Sequence, residues 1–525
     1  MTGILRRGKV LFWLLVVIIS ITVTGQTGLA TGNDEAFVSL QILSINDYHG
    51  SLAESGKNPG AAKVTQFLAD QKARNPEGTI LLAAGDMMQG SPDSNLLYGK
   101  SVIDVMNYLE FDAMTLGNHE FDWGMGVLEE RIHQAAFPVL CANIIDGQTG
   151  KNPNFVKPYV VVERKGIKLA VIGVITQETA VTTNPKVIGN YTFTDPAAAV
   201  RNLVPVLKQQ GAQVIIVLSH LSSYMNKAGI ITGDGPKLAR ESTGIDAIIT
   251  GHSHQTVHGK VEEIPVVQAA YNGRAVGMIE MVIDSQHGTV QSREVTVLPV
   301  PNTTVPDPAM EKFLHHSLQE IEPLKKTAVS YTHFELSHDR SAPLQTVLGQ
   351  FVTDGMRQTA ESDIAFCNIG GLRTSIAAGV ITMGNLYEVM PFDNTLFTLE
   401  LTGREVMQVL QYGLENKQFG MMQYSGLTIV YDPQAPQGNR FVSVKLLNGK
   451  PLAIDKTYKV VTNDFMATGG DGFTMLQGGK NRRDTGIFLR DSLAEVMKKS
   501  KVIDFTGDNR WILRNTTAKP EKEAA

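Results

Sequence analysis

Cysteine is nearly absent: only Cys141 and Cys367 occur among 525 residues, each inside an apolar stretch and far apart. That excludes a disulfide scaffold and makes two buried free thiols the expectation. Basic charge is not in excess, since 47 Lys and Arg against 52 Asp and Glu leave a net charge of -5. Without a basic stripe or interleaved aromatics, polymeric nucleic acid is a poor candidate partner and none is expected. No cysteine follows the N-terminal apolar run, which removes a lipoprotein anchor. The end of the chain, Lys519–Ala525, is polar and excludes a hydrophobic GPI-type tail. The glycine turns of the C-terminal half have neither P-loop nor dinucleotide-binding spacing.

The N-terminus does carry a signal. Arg6, Arg7 and Lys9 precede an apolar run from Val10 to Ile19, and small residues lead out to Gly28-Leu29-Ala30. A basic start, a short apolar core and a small-residue exit describe a secretory signal over residues 1–30, cleaved near Ala30. The expected location is therefore outside the cytoplasm: periplasm, cell envelope or medium, with no stable transmembrane anchor after cleavage. The length then calls for more than one core.

From residue 38 to 298 short apolar strands alternate with amphipathic helices. Leu40–Ile45, Thr79–Ala84, Ala113–Leu116, Val214–Leu218 and Asp246–Thr250 are short, apolar and bounded by glycine or polar residues, as buried strands are. Helical spacing fills the intervals, as at Ala61–Arg74 and Pro196–Gln210. The expected class is a layered α/β sandwich followed by a second α/β domain. A proline-rich linker (Pro299, Pro301, Pro306, Pro308) and one helix, Ala309–Lys326, make residues 299–326 the join. The second domain is placed at 327–513 and a disordered tail at 514–525.

The chemistry sits where the strands end. The first gives Asn46-Asp47-Tyr48-His49-Gly50, the second Gly85-Asp86, and the third Gly117-Asn118-His119-Glu120-Phe121-Asp122. The fourth ends in Ser219-His220 and the fifth in Gly251-His252-Ser253-His254. Open α/β sheets gather ligands at the carboxyl ends of their strands, so these side chains are expected to converge. In extended backbone Asp47 and His49 share a face, as do His252 and His254. One Asp-x-His is weak; five such ends in order point to divalent cations.

These motifs resemble the calcineurin-like metallophosphoesterases, and the variants Asn46-Asp47-x-His49-Gly50 and Gly117-Asn118-His119-Glu120-Phe121-Asp122 are similar to their 5'-nucleotidase branch. The resemblance implies a four-layer sandwich holding two metals. One would sit on Asp47, His49, Asp86 and His254, the other on Asp86, Asn118, His220 and His252, with Asp86 bridging. Such nitrogen and oxygen ligands suit Zn, Mn, Fe and Co alike. His119 and Asp122 resemble the family's catalytic dyad, and Glu120 is read as structural.

In the second domain, Cys367-Asn368-Ile369-Gly370-Gly371-Leu372-Arg373, Met390-Pro391-Phe392-Asp393-Asn394 and Asn463-Asp464-Phe465 through Asp471-Gly472-Phe473 are similar, in this order, to a nucleotide-binding domain. The resemblance puts Phe392 and Phe465 on the two faces of a base and Asp471 on ribose hydroxyls. It puts Asn368 and Arg373 at the phosphate and Asn394 near the base, with Arg340 as a second arginine. Ile369, Asp393 and Gln345 depart from the pattern, where glycine, glycine and glutamate are usual. The implied activity is hydrolysis of nucleoside 5'-monophosphates to nucleoside and phosphate. UDP-sugar or dinucleotide hydrolysis, 2',3'-cyclic phosphodiester cleavage, and a non-catalytic nucleotide-binding surface protein are the alternatives.

Overall fold

The computed structural model describes residues 36–514 apart from 344 and 416–418; the expected signal segment, and the expected tail beyond Arg514, lie outside the described residues. The first domain is built on two six-stranded sheets. One runs, in spatial order, Thr289–Pro299, Ala275–Asp284, Phe37–Ile45, Thr79–Ala83, Ala113–Thr115, Val139–Leu140. The other runs Thr256–Val261, Ile264–Ala269, Ala247–Ile249, Val214–His220, Ile167–Ile175, Tyr159–Arg164.

The apolar runs are continuous because both faces of the central strands are covered. Leu40, Ile42, Ile80 and Leu82 pack across the inter-sheet layer against Leu169, Val171, Ile216 and Leu218. On the outer face of the first sheet, Leu43 and Leu81 meet Val64, Leu68, Val102 and Met106 from the helices Gly60–Lys72 and Lys100–Tyr108. On the outer face of the second, Ile215 and Val217 meet Val200, Leu207 and Leu238 from Pro196–Gln209 and Asp234–Glu241. The result is helix, sheet, sheet, helix: four layers, as the resemblance implied.

Within each sheet the central strands are parallel. Phe37–Ile45 pairs with Thr79–Ala83 and that with Ala113–Thr115; Ile167–Ile175 pairs with Val214–His220 and that with Ala247–Ile249. Parallel strands end on one edge, and both sheets present their carboxyl ends to the same rim.

The join differs from the single helix expected. Asp307 caps a helix at Pro308–Leu318, its carboxylate accepting the Met310 N–H at 2.6 Å, and a separate short helix follows at Glu322–Lys325. Pro323 has no N–H to extend the first helix and is suited to the opening turn of a new one. The second domain carries a five-stranded sheet ordered Gln423–Ser425, Ile364–Cys367, Thr457–Asn463, Thr395–Thr402, Lys480–Phe488. Helices Val347–Thr359 and Leu489–Ser500 cover one face, and Gly403–Glu415 covers the other. Both cysteines are buried and unpaired.

Candidate active site

The strand ends converge. Donor atoms of Asp47, His49, Asp86 and His254 lie within 4.8 Å of one another, as do those of Asp86, His220 and His252, so Asp86 belongs to both groups. Asn118 joins the second group: its Oδ1 is 3.2 Å from His220 Nε2 and 3.0 Å from His252 Nδ1. Asp47, Asp86 and His220 are almost wholly buried.

The route to convergence is not the one the alternation suggested. Asp47, His49, Asp86, His252 and His254 have φ of +48°, +49°, +53°, +72° and +56°, so none of the five is extended. Each strand has ended, and the loops run beside one another in left-handed turns. Asp47 N–H donates to Gly85 O at 3.0 Å, His49 N–H to Asp86 O at 3.0 Å and Gly50 N–H to Met87 O at 2.9 Å. Left-handed backbone costs about 1–2 kcal/mol per residue, and these bonds offset it.

The donor set fits cations. His49 and His220 direct Nδ1 at backbone carbonyls, Gln89 O and Ala84 O, both at 2.8 Å. A proton there leaves Nε2 with a lone pair turned inward. His252 is reversed, with Nε2 3.3 Å from Glu178 Oε2 and Nδ1 inward. Nε2 of His49 and of His254 stand 3.0 Å apart. Lone pairs of His220, His252 and Asn118 thus converge on one point, which a cation would relieve. Burial holds His49 and His254 below the ordinary imidazole value, as neutral ligands require. His220 goes the other way, to about 10: burial opposes its charge, but Asp86 and then Asp47 outweigh burial. Those carboxylates demand positive charge, and a cation meets the demand as a proton does.

The loops are pinned from behind. The buried Glu120 carboxylate accepts N–H bonds from Asp86 and Gly117 at 2.7 Å, Met87 at 2.8 Å and Met88 at 3.3 Å. Gly117 is required for the approach, since a Cβ there would stand 2.2 Å from Asp86 Oδ1. Asn46 donates from Nδ2 to Asp47 Oδ2 at 2.6 Å and to Ala270 O at 2.7 Å, fixing the carboxylate's orientation.

His119 stands beside the cluster, its Nδ1 2.7 Å from Asp122 Oδ2 and its backbone N–H on Asp86 Oδ1 at 2.9 Å. Burial opposes its protonation, but Asp122 and Asp86 prevail and raise the imidazole above its ordinary value.

The second domain closes over this rim. One cavity of about 670 Å³ is lined by Asp86, Asn118 and His119 from the first domain and by Phe392, Phe465 and Asp471 from the second. Arg340, Asn368, Arg373 and Asn394 also line it. The Phe392 ring lies 5.5 Å from His119. Phe465 lies flat against Gly470, where a Cβ would meet the ring at 2.5 Å. Arg373 is driven down to about 9 by burial and by Arg340, with Asp86 and Asp122 pulling the other way. It faces the metal rim, as a phosphate-binding arginine would. Asn368 is held by two neighbours: its Nδ2 donates to Asp471 Oδ2 at 2.8 Å and its Oδ1 accepts from Asn463 at 2.9 Å. Buried polar groups need such partners. Burial pushes the Asp471 carboxyl up to about 6, against the pull of Asn368 and Arg340.

The domains also meet directly. Away from the cavity Asn95 Nδ2 donates to Pro391 O at 2.8 Å, and in its wall Asn184 Nδ2 donates to Asp464 Oδ2 at 2.7 Å. Nothing in the spacing marks Trp123 or Phe419, which line the cavity together with Glu178. Glu178 does follow a strand, Ile167–Ile175, and so carries the same strand-end signal as the ligands.

Comparison with known proteins agrees with this architecture. The model of the calcineurin-like phosphoesterases matches residues 40–256, and that of the 5'-nucleotidase C-terminal domain matches 325–478. A solved 5'-nucleotidase precursor from Thermus thermophilus superposes with a TM-score of 0.78 at 31% identity, over 91% of this chain and 99% of that one. Endonuclease YhcR and the trifunctional nucleotide phosphoesterase protein YfkN, both from Bacillus subtilis (strain 168), are each 31% identical, over 82% and 88% of this chain. The chain spans only 37% and 34% of those two longer relatives.

Proposed function

The chain belongs to the 5'-nucleotidase family of calcineurin-like phosphoesterases, and from that premise we propose that it hydrolyses nucleoside 5'-monophosphates to nucleoside and phosphate, outside the cytoplasm. One observation carries the reading: a single cavity is lined both by the Asp–His cluster and by Phe392, Phe465 and Asp471. Phosphate chemistry and nucleoside recognition thus face the same space.

Asp47, His49, Asp86 and His254 would hold one divalent ion, and Asp86, Asn118, His220 and His252 the other. Bound there, such ions supply Lewis acidity to phosphate oxygens and to the attacking water. The protein does the rest. Phe392 and Phe465 sandwich the base, a contact that tolerates different bases. Asp471, oriented by Asn368, accepts from the ribose hydroxyls. Arg373 makes charge-assisted contacts with the phosphate, and Arg340 adds positive charge at the same mouth. His119, kept protonated by Asp122, faces the phosphoryl group and stabilises the charge that develops as the ester bond breaks. Among the described residues no helix is long and apolar enough to cross a membrane; export rests on the leader read in residues 1–30.

The test is phosphate release from AMP by the purified chain, with metal analysis, with and without chelator. Chelator-sensitive release is expected. Absence of release from any nucleoside monophosphate, alongside turnover of UDP-sugars, dinucleotides or 2',3'-cyclic nucleotides, would transfer the assignment to those substrates.

A further inference from the structure

Arg490 opens the helix Leu489–Ser500 and is only 4% exposed. A guanidinium so far from water needs partners, and three of its hydrogen bonds, from the two terminal nitrogens, go to one loop. They run to Met390 O at 2.9 Å, Phe392 O at 3.4 Å and Asp393 Oδ1 at 2.6 Å. The guanidinium lies over the Tyr387 ring at 3.7 Å. Next to it, Leu489 N–H donates to Asn394 O at 2.8 Å, so the start of this helix is stitched to the loop at Met390, Phe392, Asp393 and Asn394. From the other domain, Asn95 holds Pro391 O. The Phe392 ring is left half-buried in the cavity while its backbone is held on both sides.

We propose that Arg490 is a positioning residue for Phe392, setting the aromatic face on which the substrate's base stacks, with Asp393 as its counter-charge. This rests on the reading of Phe392 as a stacking residue. It also accounts for Asp393, which stands where the family pattern has glycine: a buried guanidinium requires a carboxylate, and the loop supplies one. The planar fork can reach two carbonyls and a carboxylate at once, which the single ammonium of lysine cannot do in the same geometry.

The test compares AMP with p-nitrophenyl phosphate, which has no base, in the metal-loaded full chain. Arg490→Met, Arg490→Lys, Asp393→Asn and Phe392→Ala are assayed beside the parent. Loss of a stacked base is expected to raise the KM ratio of AMP to p-nitrophenyl phosphate roughly 5- to 100-fold. Arg490→Met should approach the Phe392→Ala ratio, Arg490→Lys should recover part of it, and Asp393→Asn should lie nearest the parent because the carbonyl contacts survive. Equal losses for both substrates in the Arg490 variants would mean a merely structural role and overturn the proposal. A selective Phe392→Ala with non-selective Arg490 variants overturns it while leaving stacking intact. A non-selective Phe392→Ala removes the stacking reading, and the proposal with it. Should Arg490→Met fail to fold, Arg490→Lys decides: a ratio between those of the parent and Phe392→Ala supports the proposal, and the parent's ratio overturns it.

Discussion

Replacing Glu120 by Gln changes one oxygen into an amino group, yet it should unsettle the whole metal rim. Oε2 accepts Asp86 N–H and Gly117 N–H, both at 2.7 Å, while Oε1 accepts Met87 N–H at 2.8 Å and the weaker Met88 N–H at 3.3 Å. Glutamine can serve one pair only. It would keep its carbonyl on the closer pair and turn an NH2 toward Met87 and Met88, donors facing donors. An orphaned buried N–H costs about 1–3 kcal/mol, so one strong and one weak loss come to roughly 2–4 kcal/mol. At roughly 2–4 °C per kcal/mol for a domain of this size, the first-domain transition should fall by about 4–16 °C. Calorimetry in excess chelator measures this without a contribution from bound metal. Titration calorimetry with Mn²⁺ or Zn²⁺ should then show about 10- to 100-fold weaker binding, because the loops presenting Asp86 and Asn118 are less fixed. Burial and Asp86 already push the Glu120 carboxyl up to about 7, so glutamine also removes a penalised charge; an unmoved transition together with metal affinity equal to the parent's would refute the reasoning.

Asp86→Ala removes the carboxylate common to both clusters and should abolish phosphate release together with metal retention, checked by metal analysis; retained turnover would sink the two-metal reading. Phe465→Ala should weaken AMP far more than p-nitrophenyl phosphate, by about 1–3 kcal/mol in kcat/KM. Asp471, held up to about 6 by burial, begins to protonate as pH falls toward that value, and the acid form is a poorer acceptor for ribose hydroxyls. Inhibition by adenosine should therefore weaken roughly 5- to 10-fold from about pH 7.5 to about pH 5, with a flat profile in Asp471→Asn. The stability sign is opposite: the folded state binds this proton more tightly than the unfolded chain, whose carboxyl titrates near 3.8, so ionised Asp471 destabilises above about pH 6 and the penalty fades toward 3.8.

The sheets were legible because the central strands are covered on both faces, which writes them as unbroken apolar runs such as Val214–Leu218 and Thr79–Ala84. The order of the strand ends, each closed by Asp, Asn or His, was legible for the same reason: parallel strands deliver their carboxyl ends to one rim. What the chain does after each strand was not. Asp47, His49, Asp86, His252 and His254 lie in left-handed backbone that local preference argues against; Asp47 and His49 are held there by bonds across to Gly85 and Asp86, and His252 by its N–H on the Asp47 carboxylate. Such long-range bonds leave no trace in local spacing. The same holds for Asn368, whose place is decided by Asp471 and Asn463 about a hundred residues away. Arg490, nearly as far from Phe392, gives no local hint either.

The left-handed turns also have a chemical consequence. In an extended Asp-x-His both side chains stand on one face of a strand, several ångströms apart along it. Turning the backbone at Asp47 and again at His49 folds the two donors back toward Asp86, and His252 and His254 do the same from the second sheet. That closes the donor groups to within 4.8 Å. The strain is held by Glu120 behind the Asp86 and Gly117 loops and by Asn46 beside Asp47, neither of which needs to touch substrate. The tightness of the metal rim is thus set by residues one layer back, so changes at Glu120 or Asn46 should be read first in metal affinity and only through it in turnover.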